Sequence, residues 1–368
     1  MTNLIGSEKG RKKFIFYFPW FDDVHFTKDI GIIPFVMQKY YGYDVEIVTG
    51  VNKSEFPANE KYTENIKITF ADSQEKIEQA IVRADILMLC GIYDFNISLI
   101  SKFKDLNPEG RIYLKFDLNS YWMMDLDKKS DFIQTLKTCD IISVENRRLQ
   151  NMMMTRWGLH SLFIPNGFYD FFKSSLINYD TKNNTILTVG RPGSRPKNSE
   201  LLLNAFIKIH QEIPDWNLVM VGEVAPWFQN YYEQLIANNP ELKKRITLTG
   251  SLSYEETKKR YDQAKIFCLT STQEGSANVV PESLGRGCYV IITDVDSAID
   301  AINYGEYGRL IPVNNEGYLQ RALLKACLSK FLLKQVCKNA QIYARSDLDW
   351  ITLCGQIVNH QGGGIGNE

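Results

Sequence analysis

The chain has 368 residues, 44% apolar and 23% charged, with 42 basic and 43 acidic side chains and a net charge of −1. That length allows two sizeable cores. The balanced charge excludes the basic excess expected of a nucleic-acid-binding protein, and no apolar run reaches the 18 residues of a membrane-spanning helix.

Residues 1–12 are polar and read as partly disordered. Strands are expected at 14–18, 45–49, 66–70, 86–90, 112–116, 141–144 and 162–164. Between them lie helical patterns at 30–41, where Pro34 has to fall in the first turn, and at 73–82, 97–103, 131–136 and 145–157. Apolar strands alternating with helices predict a parallel sheet covered on both faces. Pro165-Asn166-Gly167 is a turn, and the aromatic, polar stretch 168–184 reads as a connection between domains. The alternation then restarts. Strands are expected at 186–189, 218–221, 246–248, 266–270, 289–292 and 309–311, with helices at 200–210, 228–237, 254–264, 278–285, 297–302, 316–345 and 348–358. Ser253 and Glu256 form a capping box. Residues 361–368 read as a flexible tail.

Seven cysteines (Cys90, Cys139, Cys268, Cys288, Cys327, Cys337 and Cys354) are odd in number and contain no Cys-x-x-Cys pair. Most sit in apolar runs, which predicts buried free thiols in a reducing compartment. The four histidines lack ligand spacing. With no signal peptide evident, the expected location is cytoplasmic.

The stretch 267–293 organises the chain: strand, loop, helix, turn, strand. Asn278 is placed as the helix N-cap, Pro281 in the first turn, and Gly285 and Gly287 at the end. A helix that starts directly after a parallel strand aims free N–H groups and its positive dipole end over the sheet, a place suited to phosphate. Glu274 and Glu282 bracket the helix start, and carboxylates there accept hydrogen bonds from vicinal hydroxyls. The spacing alone is weak, since about five such pairs arise by chance in a chain this acidic.

Four pieces fall in one order: Ile-Pro-Asn-Gly (164–167), Val-Gly-Arg with a lysine six residues after the arginine (189–197), Val-Gly-Glu (221–223) and Glu-Gly-Ser-Ala-Asn-Val-Val-Pro-Glu-Ser (274–283). The ordered set resembles glycosyltransferase family 4, the retaining transferases of GT-B fold, from about residue 140 to 313. Asp-Leu-Asp-Trp (347–350) resembles the aromatic start of the GT-B terminal helix. The resemblance implies two Rossmann-like domains whose parallel sheets face each other across a cleft. These are an acceptor-side domain at 1–168, a nucleotide-sugar-binding domain at 169–345, and a terminal helix at 346–360 returning to the first.

It also implies roles. Arg191 and Lys197 match the cations that hold the donor pyrophosphate and neutralise the leaving group, and Arg195 is a substitute for either. Gly190 and Glu223 belong to the same donor side. Glu282 matches the ribose ligand and Glu274 the residue holding sugar hydroxyls, with the backbone of Gly275, Ser276, Ala277, Asn278 and Val279 against sugar and phosphate. The first domain departs from the family. In place of a Gly-Gly pair it has Gly31 after Trp20, His25 and Lys28, which are read as acceptor-side residues. Phe116 stands where a donor-touching histidine is usual, while Asp117 remains and takes a catalytic role, with Lys115 as a further candidate.

The implied activity is transfer of a sugar from a nucleotide-diphosphate donor, UDP by the family's majority, to a hydroxyl of a glycan, lipid-linked or protein acceptor. No cofactor is expected. The triplets Asp125/Asp127, Asp294/Asp296 and Asp347/Asp349 resemble metal-binding Asp-x-Asp motifs, but their three unrelated contexts argue for coincidence and no metal is expected. The basic and apolar segment 147–157 is read as a buried amphipathic helix, with contact to the inner face of a membrane as the alternative. Two further readings are a sugar-nucleotide 2-epimerase and a non-catalytic GT-B partner subunit.

Overall fold

The computed structural model describes residues 10–126 and 130–360. The first residues of the polar start, Asp127 of the first Asp-x-Asp triplet and the 361–368 tail lie outside the described residues. Strands β1 (Lys13–Tyr17), β2 (Asp44–Thr49), β3 (Lys67–Phe70), β4 (Ile86–Cys90), β5 (Arg111–Lys115), β6 (Ile141–Val144) and β7 (Leu162–Phe163) form a parallel sheet in the order β3-β2-β1-β4-β5-β6-β7. Strands β8 (Asn183–Val189), β9 (Asn217–Val221), β10 (Ile246–Leu248), β11 (Ala264–Leu269), β12 (Tyr289–Thr293) and β13 (Gly308–Ile311) form a second parallel sheet in the order β10-β9-β8-β11-β12-β13. Every residue of β4 and of β12 is buried, as both-face coverage requires. Along β1 the side chains alternate: Phe14 and Phe16 enter one core, Ile15 and Tyr17 the other.

The last helix, Trp350–Asn359, belongs to the first domain's packing although it follows the second. Trp350, Leu353, Cys354 and Ile357 recur at helical spacing and enter the core that holds Phe14 and Phe16. Beside this crossing runs the earlier one. The Phe168 amide donates to the Leu348 carbonyl (2.7 Å) and the Trp350 amide to the Phe168 carbonyl (3.2 Å). The stretch after Phe168 is no loose linker. Asp170 pairs with Arg286 (2.8 Å) and Arg345 (3.1 Å), and Phe168 fills the space a Cβ on Gly285 would need, 2.5 Å away.

Several local expectations are corrected. The helix Asp29–Tyr41 begins earlier than expected because a 3₁₀ turn, Asp23–Thr27, feeds into it. Pro34 therefore lies in the second turn rather than the first, and leaves the Ile30 carbonyl without its usual partner. Helices Pro57–Thr63 and Ser120–Leu126 were not expected. Both are short, with no clear apolar period to announce them. The 145–157 segment is a helix, Arg147–Met152, continued as a π turn over Met153–Trp157. Its apolar side, Leu149, Met153 and Trp157, is buried. All seven cysteines are free and all but Cys139 are buried.

Candidate functional site

In both sheets the chain reverses its direction of winding beside the first strand, at β1/β4 and at β8/β11. Loops leaving the carboxyl ends of such strands diverge and open a crevice. The second domain's crevice is lined by the loop after β8, which carries Gly190 to Lys197, and the loop after β11, which carries Thr270 to Asn278. The two glycines of the Val-Gly pieces are structural. Gly222 has φ +130°, and a Cβ there would lie 1.4 Å from the Gly190 carbonyl oxygen. Glu223, which follows, is exposed.

Of the predicted donor-side residues, the structure brings Lys197 and Glu274 into contact. Lys197 forms an ion pair with Glu274, which also accepts a hydrogen bond from the Ser271 hydroxyl (2.7 Å). Arg191 and Arg195 are exposed on the same loop. Glu282 lies in the helix Val279–Gly285 and accepts from the Tyr261 hydroxyl (3.1 Å). Ala277 is buried, and Gly275, Ser276 and Val279 are partly covered.

Asn278 occupies the N-cap position of this helix, as expected, but not with cap chemistry. Its backbone is already helical and its side chain caps nothing. Instead its Nδ2 donates to Oδ1 of Asp29, in the first domain, at 3.1 Å. The neighbouring residue also reaches across: Lys28 pairs with Glu282 at 3.6 Å. Lys28, expected on the acceptor side, thus stands against the expected ribose ligand. His25 is occupied locally, since its Nδ1 accepts the Asp22 backbone N–H (2.8 Å) and completes a capping box. Burial lowers its pKa. Trp20 is 55% exposed and held edge-on by Phe18, Tyr93 and Phe95.

At the end of β5, Phe116 is fully buried against Trp157 and faces no cleft. Asp117 is exposed at φ 42°, in the left-handed region that aspartate tolerates better than most residues. Lys115 is 1% exposed and lies between Asp29 (2.8 Å) and Glu145. Burial acts to lower its pKa, but the two carboxylates hold it well above the usual lysine range. Asp29 is raised by burial, yet Lys115, Asn278 and the Ile30 amide bring it below the ordinary carboxylate value. Burial pushes Glu145 up to about 7 against the pull of Lys115. Two asparagines close the seam: Asn146 Nδ2 donates to the Gly275 carbonyl (3.4 Å) and Asn166 Nδ2 to the Ser276 carbonyl (3.0 Å). Asp29, Glu145 and Asn146 had no signal in the sequence beyond ordinary helix-start chemistry. Asn166 had one, the Pro-Asn-Gly turn.

The Asp-x-Asp triplets have other partners. Asp296 accepts from the Ser120 hydroxyl (2.7 Å) and pairs with Arg148. Asp349 caps the last helix through the Thr352 amide (3.2 Å). Among the described residues, no three histidine, cysteine or acidic groups are arranged to hold a metal ion.

The family model described as "Glycosyl transferases group 1" matches residues 172–345, the segment that carries these loops. Residues 172–345 belong to the group 1 glycosyl transferases. Similarity to whole proteins is consistent with this. The phosphatidyl-myo-inositol mannosyltransferase of Mycobacterium tuberculosis is 27% identical over 212 residues, 56% of this chain and 54% of that protein. A 4-alpha-N-acetylgalactosaminyltransferase of Campylobacter jejuni that acts on a diphospho-undecaprenol-linked sugar is 30% identical over 162 residues, 43% of this chain and 41% of that one. The chain thus spans about half the length of the curated relatives it matches. Anabaena HepE, solved with UDP and glucose, shares the fold at TM-score 0.73 and 14% identity, covering 95% of this chain and 98% of that one. A glycosyltransferase from Rickettsia africae does so at 0.71 and 16%, covering 95% and 98%. The group 1 segment therefore sits in a GT-B architecture, with its loops facing the first domain.

Proposed function

We propose that this chain transfers a sugar from a nucleoside-diphosphate sugar to a hydroxyl acceptor with retention of anomeric configuration. The observation that carries the reading is the Lys197–Glu274 ion pair at the second domain's crevice, with exposed Arg191 on the same loop as Lys197 and Glu282 in the helix that follows the Glu274 loop. Breaking the bond between the anomeric carbon and the phosphate oxygen builds charge on the diphosphate. Arg191 and Lys197 stabilise that charge as fixed cations, so no divalent metal is needed. Glu282 takes the ribose hydroxyls and Glu274 those of the sugar. The acceptor oxygen bonds to the anomeric carbon on the face the phosphate leaves, and its proton passes to the departing phosphate oxygen. No protein base is required. Asp117 and Trp20 lie on the acceptor's approach from the first domain. Interdomain closure excludes water, which would otherwise hydrolyse the donor.

UDP is favoured as the donor nucleotide by the likeness to a protein solved with UDP. A lipid-linked or glycan acceptor is favoured by the names of the half-matching relatives, and with such an acceptor the enzyme works at the inner face of a membrane. No helix among the described residues is long and apolar enough to cross one.

The test is a thermal-shift panel of UDP, GDP, ADP and CMP in EDTA. A ligand at about 100 times its dissociation constant stabilises by about 2.7 kcal/mol. Stabilisation by a single diphosphate is expected and names the donor. No shift from any of them overturns the reading in favour of a non-catalytic partner subunit. Isomerisation of a nucleotide sugar without an acceptor would favour the epimerase.

A further inference from the structure

We infer that the buried charge triad Asp29–Lys115–Glu145 of the first domain positions the donor loop, residues 274–279, of the second. The three are positioning residues. Their kinetic readout rests on the proposed transfer, but their structural readout does not.

The geometry runs in one line. Lys115 ends β5 with its side chain 2% exposed. It holds Oδ2 of Asp29, the first residue of the helix Asp29–Tyr41, leaving Oδ1 to receive Asn278. Glu145 follows β6, is 1% exposed and grips Lys115 from the other side, while its second oxygen, Oε2, is buried without a hydrogen-bond partner. The next residue, Asn146, caps the following helix through the Leu149 amide and also holds the Gly275 carbonyl. With Asn166 on Ser276, first-domain side chains meet Gly275, Ser276 and Asn278 in one short loop. The fit is close, for a Cβ on Gly275 would stand 3.1 Å from the Leu118 carbonyl oxygen.

Stability alone does not account for the triad. Buried charges are costly to desolvate, and apolar side chains of like size often stabilise a core as well or better. What apolar side chains cannot do is hold a carboxylate with one oxygen aimed at Asn278. The triad also carries one cation for two acids. Asp29 has Asn278 and the Ile30 amide in addition to Lys115 and keeps its charge. Glu145 faces Lys115, Asp29 and Asp117, and Cys90 lies against the same lysine. Glu145, pushed up to about 7, therefore gains its proton as the pH falls through neutrality. Once ionised, it competes with Asp29 for Lys115, and the hold on Asn278 slackens.

The experiment is amide hydrogen exchange on the full chain, comparing wild type with the apolar triple variant Asp29→Leu/Lys115→Met/Glu145→Leu. The expected result is a loss of protection of tenfold or more confined to amides 275–280, with β11 and β12 unchanged. Unchanged protection at 275–280 in a folded triple variant overturns the inference. Should the triple variant fail to fold, Glu145→Gln decides. Protection at 275–280, corrected for intrinsic exchange, falls in wild type between pH 6 and pH 8 and stays level in Glu145→Gln. A wild type without that fall overturns the inference. With donor in hand, the triple variant raises KM for the donor at least tenfold and leaves kcat within threefold. The reverse split overturns the positioning role. If no transfer is found at all, the exchange result still stands or falls by itself.

Discussion

The two walls of the cleft use charge in opposite ways. On the second domain, Arg191, Arg195 and Glu223 are exposed on loops, and Lys197 and Glu274 are half-buried near the surface. On the first domain, Lys115, Glu145 and Asp29 are buried, while Asp117 close by is exposed. The difference separates groups that meet a ligand from groups that hold other groups. A ligand-facing group is restricted by the chemistry of what it touches, so it leaves a pattern in residue type and spacing. A holding group is restricted by geometry that exists only after folding. Here its partners come from positions 29, 115, 145 and 278.

That comparison can be broken in four places. The largest effect belongs to Lys115→Met, which leaves two buried carboxylates without a cation. A loss of about 3–5 kcal/mol in urea unfolding is expected, and a loss under 1 kcal/mol would mean that the triad is not buried as described. Next come Arg191→Ala and Glu282→Ala. Each is expected to lower kcat/KM by about 10²-fold or more with little change in melting temperature, the cost of one lost transition-state contact. A near-normal rate in Arg191→Ala would sink that residue's assignment.

The third is pH. Glu145 is raised from 4.5 to about 7. Its contribution to stability is therefore fully present below pH 4.5 and is lost as the pH rises through 7. Melting temperature should fall by a few degrees between pH 5 and pH 8, since about 1 kcal/mol is worth a few degrees in a chain this long. Glu145→Gln should remove most of that fall, and an unchanged fall in the variant would assign it to other groups. The smallest effect is Lys28→Met. Lys28 has 41% of its side chain exposed against Glu282, and pairs of this kind contribute about 0–1 kcal/mol. A change beyond that range in chemical unfolding would show that the Lys28 contact carries the domain interface.

Much of the architecture was legible because it follows from periodicity. The uniformly apolar β4 and β12 could only be strands covered on both faces. Trp350, Leu353, Cys354 and Ile357 announced a helix with one buried face. The donor-side pattern was legible because Lys197, Glu274 and Glu282 follow strand ends in an order that means little piece by piece and much together. What escaped had a reasonable local reading that tertiary contacts overrode. Asn278 has the chemistry of an N-cap, but Asp29 offers its amide a buried acceptor. Pro34 favours a first turn, but the Asp23–Thr27 turn starts the helix before it. Lys28 and His25 sit together in the sequence, yet one reaches the other domain and one folds back on its own turn. Phe116 was correctly noticed as a departure, and its reason is visible only in the core, where it fills the space beside Trp157.

The paired crossings at Phe168 and Leu348–Trp350 carry one more consequence. Two chain segments run side by side between the domains and are stitched by two backbone hydrogen bonds. They behave as a two-stranded strap rather than as a single string. A strap bends about its own line and resists sliding, so the domains share one natural axis of swing. It also tolerates a cut: a protease nick in either strand leaves the halves tied by the other, and both fragments should travel together through a sizing column until denaturant is added.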